Sequence, residues 1–174
     1  DDNQVEVDSR QFEILRKLSF FTEFENIELW EILRISVWRK VVPQVALIRE
    51  GDKNRIFGIV VEGFVEVSMG GNALCRLGAG EVIGEAAYLH PSRDERSATV
   101  VTLEETLFLE INAAALALAS EELQERMRSA LLACLIDRMR EVNRIVAAQG
   151  APCVQSSSSL SSSSGGQALE LVPL

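Results

Sequence analysis

A mainly β domain framed by helices is the fold class this sequence predicts. Three observations predict it. Apolar residues alternate with period two between Val41 and Ile111, they recur at helix spacing on both sides of that stretch, and turn residues cut the middle into short runs. The period-two runs point to a β-sandwich or barrel, with strands about 8–12 residues apart.

Residues 9–37 read as helical, because Phe12, Leu15 and Leu18, then Ile27, Trp30 and Leu33, repeat at helix spacing. Asn26 is the expected N-cap of the second helical run. In the β region, Val65, Val67 and Met69 alternate with Glu66 and Ser68. Leu107, Leu109 and Ile111 alternate with Phe108 and Glu110. Turn signals fall at Gly51-Asp52, Gly63, Gly70-Gly71-Asn72 and Gly78-Ala79-Gly80. Residues 84–89 break the alternation as a single helical turn; a polar loop from His90 to Glu95 follows, and a strand resumes at Ser97. An interruption inside a barrel frees backbone donors from the ladder, so it is where a site is expected.

From Ser120 to about Ala148 the helix period returns, with Leu123, Met127, Leu131, Cys134, Leu135, Arg138, Val142 and Ile145 on or near one stripe. That helix is long for a globular domain, so it is expected to extend past the roll or to pair with another chain. The expected division is a folded domain over 1–150 and a Ser-rich linker and tail over 151–174. The chain opens on Asp rather than Met, so a fragment of a longer protein is expected.

Composition narrows the function. With 174 residues, 47% hydrophobic and 25% charged, the chain can bury a core without disulfides or metal. A net charge of −9 repels duplex DNA and anionic membranes, so neither is an expected partner. No stretch approaches the ~20 apolar residues of a membrane span. Cys75, Cys134 and Cys153 have no metal-type spacing and are read as reduced thiols in a cytoplasmic protein. The single histidine, His90, is read as a surface residue. It cannot build the ligand cluster of a metal-dependent barrel enzyme, and no nucleophile elbow is present, so neither metal nor catalysis is expected.

The informative constellation is Gly84-Glu85-Ala86-Ala87 followed, after the loop, by Arg96-Ser97-Ala98-Thr99-Val100. A small cyclic phosphate carries one charge and two exposed oxygens. A guanidinium answers it with parallel N–H bonds, and the free amides of a turn add to them. A carboxylate is a poor neighbour for phosphate but a good acceptor for a sugar hydroxyl.

This pattern resembles the phosphate-binding cassette of the cyclic-nucleotide-binding domain family, the family of the catabolite activator protein and protein kinase A regulatory subunits. Gly51 after Arg49-Glu50, Gly63 in Val61-Glu62-Gly63-Phe64-Val65, and Gly80 match its structural glycines. The likeness covers about residues 12–148. It implies an antiparallel β-roll (a double-stranded β-helix, jelly-roll-like) with N-terminal helices and a long C-terminal helix. It also implies Glu85 on a 2′-hydroxyl, Arg96 on the phosphate, and amides of Ala86 or Ala87 and of Ser97 completing the cradle with Gly84 and Ala98. Leu131, Cys134, Leu135 and Arg138 are the candidates to cap the base. Ser97 does not decide the base, and cAMP is favoured over cGMP.

The expected function is a ligand-sensing regulatory module, not an enzyme. It would relay binding through the last helix to an effector in the same or another chain, a kinase being one such effector. Two alternatives stand beside it: a roll kept as a dimerisation or docking scaffold, and the sensor half of a transcription factor without its DNA reader. Arg93 is the rival to Arg96 within the loop, and it lacks the Ser-Ala-Thr-Val continuation.

Overall fold

The computed structural model describes residues 2–92 and 95–150. The Ser-rich tail, Cys153 and Arg93 therefore lie outside the described residues.

Two helices open the chain, α1 (Asp2–Lys17) and α2 (Asn26–Ile35), joined by a 3₁₀ turn at Ser19–Phe21. Eight strands follow: β1 (Ser36–Val41), β2 (Ala46–Ile48), β3 (Ile56–Glu62), β4 (Val65–Met69), β5 (Asn72–Leu77), β6 (Val82–Ile83), β7 (Thr99–Thr102) and β8 (Thr106–Asn112). A one-turn helix, α3 (Ala86–Leu89), stands between β6 and β7. Helices α4 (Ala113–Leu116) and α5 (Glu121–Ala148) close the described chain. The strands form two antiparallel four-stranded sheets, ordered β1-β8-β3-β6 and β2-β7-β4-β5. This is the expected antiparallel roll with N-terminal helices and a long C-terminal helix.

The roll interior holds Val41, Ile48, Val60, Val65, Val67, Ile83, Val100 and Phe108. A second core lies between the first sheet and the helices, where Phe57, Ile59, Leu109 and Ile111 meet Leu15, Phe21, Leu29, Ile32, Leu123, Met127 and Leu131. Strands β3 and β8 are therefore covered on both faces. For this reason Phe108, placed by its alternation opposite Leu107 and Leu109, is also buried: it faces the roll while Leu109 and Ile111 face the helices. Gly58 makes room for it, since a Cβ there would lie 2.6 Å from the Phe108 ring and 2.1 Å from the Leu109 carbonyl.

Three sequence expectations are corrected. The helical reading of 9–37 overruns: Ser36 and Val37 belong to β1, which pairs with β8 from Ser36↔Ile111 to Val41↔Thr106. The Trp30–Leu33–Val37 spacing continues the helix on paper, but this ladder satisfies the same backbone groups and wins. Asn26 is not the cap of α2. It is the first helical residue, Glu25 precedes it as the cap, and the Glu25 amide donates to Glu28 Oε2 at 2.9 Å. Strand β7 begins at Thr99 rather than Ser97.

Helix α5 is anchored at its start. Ser120 caps it, its Oγ accepting from the Leu123 amide at 3.2 Å. Glu31 of α2 accepts from both the amide and the hydroxyl of Ser120, each at 2.6 Å. Arg126 pairs with buried Glu28 at 3.3 Å. Of the predicted stripe, Leu123, Met127 and Leu131 are buried. Beyond Leu131 the helix carries exposed Leu132, Ile136 and Ile145. No helix among the described residues is long and apolar enough to cross a membrane.

Candidate functional site

The interruption between β6 and β7 sits beside a cavity of about 270 Å³. Gly84, Ala86, Ala87, Arg96, Ser97 and Ala98 all line it, with apolar walls from Ile48, Val67, Ile83 and Val100. Asn54 and Arg55 of the β2–β3 connection, Glu95 and His90 complete the lining. His90 is exposed, and its Nδ1 lies 3.1 Å from Ser92 Oγ.

Gly84 sits at φ +76°, in the left-handed region that disfavours side chains. A Cβ there would lie 2.7 Å from Ile48 Cδ1, 3.0 Å from the Ile56 carbonyl oxygen and 3.2 Å from Arg96 Nη1. The glycine thus lets the guanidinium approach the backbone, and the Gly84 carbonyl accepts from Arg96 Nη1 at 2.9 Å.

Arg96 is only 8% exposed. Its main chain is clamped by the β2–β3 connection, the amide donating to Asp52 O and the carbonyl accepting from Gly51 N, both at 2.9 Å. Its Nε and Nη2 donate to Asn54 Oδ1 at 3.0 and 2.8 Å. Nη2 also donates to the Ile56 carbonyl. Every one of these acceptors is uncharged. Burial pulls the Arg96 pKa down, while Glu85 and Asp52 pull it back up; a guanidinium stays protonated at neutral pH. Among the described residues the cation is hydrogen-bonded to neutral oxygens, and the carboxylates of Glu85 and Asp52 act on it without a direct bond; buried charge is ordinarily matched by a directly bonded opposite charge.

Glu85 is more deeply buried, at 1% exposure. It does not line the cavity. Its Oε1 accepts from Arg138 Nη1 of α5 at 2.8 Å, and its Oε2 is buried without a partner among the described residues. Burial pushes the Glu85 carboxyl above its ordinary range; Arg138 most strongly, then its own backbone amide, then Arg96, pull the other way. Arg138 also reaches Glu81 Oε2 at 3.3 Å and the Val82 carbonyl. One arginine on the helix therefore ties α5 to the strand that leads into the cassette.

The structure brings Gly84, Ala86, Ala87, Arg96, Ser97 and Ala98 to one cavity and sets Glu85 directly behind its wall. The Ala87 amide is engaged in the α3 turn, donating to Gly84 O at 3.2 Å. None of the four base-capping candidates lines this cavity. Leu131 is corrected outright: it is fully buried among Leu123, Met127 and the α1–α2 residues, where it holds α5 on the fold. Cys134 and Arg138 line a separate groove beneath α5, together with Cys75 and Leu77. Burial raises the pKa of both Cys75 and Cys134. Asn54 was not singled out in the sequence. It lies in a Gly-Asp-Lys-Asn turn, and only its nearness to Arg96 reveals it.

Residues 38–121 match the family model described as the cyclic nucleotide-binding domain. A curated relative, the Pycsar effector protein XpPycTIR of Xanthomonas perforans, is 30% identical over 102 residues, which is 59% of this chain and 33% of the relative. The chain thus spans about a third of that relative's length. Among solved structures, the catabolite activator protein of Thermus thermophilus superposes with a TM-score of 0.60 at 26% identity, over 75% of this chain and 62% of that one. A cyclic nucleotide-binding domain from Methylobacillus flagellatus shares the fold with a TM-score of 0.69, at 23% identity over 83% of this chain and 84% of that one.

Proposed function

We propose, since the chain belongs to the cyclic nucleotide-binding domain family through residues 38–121, that its cavity takes a 3′,5′-cyclic nucleotide, cAMP before cGMP, and relays the binding through α5. One observation carries the reading: Arg96 is a buried cation whose acceptors among the described residues are all neutral. A cyclic phosphate would give Arg96 a directly bonded anion through charge-assisted bonds. The apolar walls from Ile48, Val67, Ile83 and Val100 suit the rest of a nucleoside. The unpartnered Oε2 of Glu85 lies behind the cavity wall and would accept from a sugar hydroxyl once that wall shifts on binding. The Ser97 amide, with that of Ala86, would complete the cradle.

The relay follows from Glu85. The same carboxylate, set behind the cavity wall, holds Arg138. A sugar hydroxyl on Oε2 and Arg138 on Oε1 would share one carboxylate, so ligand binding is coupled to the seat of α5 beyond Leu131. A ligand can shift such an equilibrium only by its difference in affinity for the two states. The receiver is an effector domain in the same or another chain.

One side of α5, on which Leu132 and Ile136 are exposed, supports a homodimer as the assembled form. Leu132, Ile136, Met139, Asn143 and Val146 follow a four-three-four-three spacing, which is that of a coiled-coil seam. This stripe is offset by one residue from Leu131 and Leu135, because Leu131 is consumed by the protein's own core. The Ser-rich segment 151–174 serves as a linker in this reading. A Leu132→Glu, Ile136→Glu double variant is expected to sediment as a monomer where the parent is a dimer. A parent that stays monomeric at high concentration ends the dimer reading.

Calorimetric titration with cAMP, cGMP, cCMP and cUMP tests the binding. Saturable one-to-one uptake of cAMP, tighter than of the others, is expected. Uptake of none at millimolar ligand leaves the roll as a docking scaffold and overturns the sensor reading.

A further inference from the structure

We infer that Asn54 is a positioning residue for the anion site, fixing both the direction and the usable charge of Arg96; this rests on the binding role proposed above for that arginine. A guanidinium has five N–H donors in one plane. Two of them, on Nε and Nη2, converge on the single oxygen of Asn54 at 3.0 and 2.8 Å. Another goes from Nη2 to the Ile56 carbonyl and another from Nη1 to the Gly84 carbonyl. Among the described residues one Nη1 donor is left over, and the side chain lines the cavity. Asn54 thus fixes the edge of the guanidinium away from Nη1, so that the Nη1 end is the one offered to a ligand.

The amide does a second thing. A carboxylate at position 54 would accept the same two bonds in the same geometry, but it would cancel the arginine's charge and repel an incoming anion. An asparagine aims the guanidinium and leaves its charge whole. The connection containing Asn54 also clamps the Arg96 main chain through Gly51 and Asp52, so aim and anchorage come from one short segment.

The isosteric Asn54→Asp variant separates charge from shape. It is expected to keep, or slightly raise, the thermal midpoint without ligand, while cAMP affinity falls by about tenfold or more through repulsion at short range. Asn54→Ala is expected to lose the slowly exchanging Arg96 Nε–H resonance in a nitrogen-15 spectrum and also to bind cAMP more weakly. Asn54→Asp binding as tightly as the parent, or Asn54→Ala leaving that resonance and the affinity unmoved, overturns the inference. A parent that takes up no cyclic nucleotide is a different failure, that of the proposed function, and it removes the anion for which Asn54 would aim the arginine.

Discussion

The Arg138–Glu85 pair sets a test of how α5 is held. Replacing Arg138 with Met keeps an unbranched chain of similar reach but removes three donor contacts, to Glu85 Oε1, Glu81 Oε2 and the Val82 carbonyl. The Glu81 contact lies at the surface, where such pairs contribute under about 1 kcal/mol. The Glu85 contact is different, since its carboxylate is 1% exposed and one oxygen already lacks a partner. Breaking a buried pair by deleting one member costs about 3–5 kcal/mol. The Arg138 side chain is 23% exposed, so water reaches the vacated place and the lower end, about 3 kcal/mol, is expected at neutral pH. Urea unfolding with unchanged m-value measures it. The double variant Glu85→Gln, Arg138→Met should recover most of the loss, because no charge is then left buried. A single-variant loss below about 1 kcal/mol would refute the reasoning, since that is the worth of an exposed pair.

The same pair predicts a pH dependence. Burial holds Glu85 above the ordinary carboxylate range, so between the unfolded and folded pKa values the folded protein binds more protons than the unfolded chain. Stability from this group is therefore full below the unfolded value of about 4.3 and falls as pH rises through the folded one. Arg138→Met should extend that fall to higher pH and Glu85→Gln should abolish it, read as urea midpoints across pH 4 to 8, roughly the window spanned by carboxylates displaced upward by burial. Arg96→Ala should weaken cAMP binding by about 2–4 kcal/mol, because it strands a desolvated phosphate, and Arg96→Lys should also weaken it, since an ammonium cannot hold Asn54, Ile56 and Gly84 and still offer a donor to the cavity. Unchanged affinity in calorimetry would remove Arg96 from the site. Gly84→Ala should destabilise the fold by roughly 1–3 kcal/mol, since it combines a positive φ with a contact 2.7 Å from Ile48 Cδ1; a thermal midpoint equal to the parent's would show that the turn relaxes freely.

What the sequence determined alone was the kind of structure and the chemical types at its centre. Period-two runs such as Val65-Glu66-Val67 and the helix period after Ser120 reflect which side chains must leave water, and that is a local property of the chain. The Gly84-Glu85 and Arg96 elements were legible because a cyclic phosphate and a sugar hydroxyl require particular residue types, in the order of the family cassette that they resemble. The tertiary structure decided the rest. Val37 satisfies helix and strand periods equally, and only the β8 ladder chooses between them. Arg138 lies on the same predicted stripe as Leu131, yet one is core and the other grips Glu85, because the stripe crosses from the helix layer onto the end of β6. Asn54 owes its place to Arg96, 42 residues away in the chain. Which buried charge meets which partner depends on distances that folding creates, and no local pattern of residues encodes them.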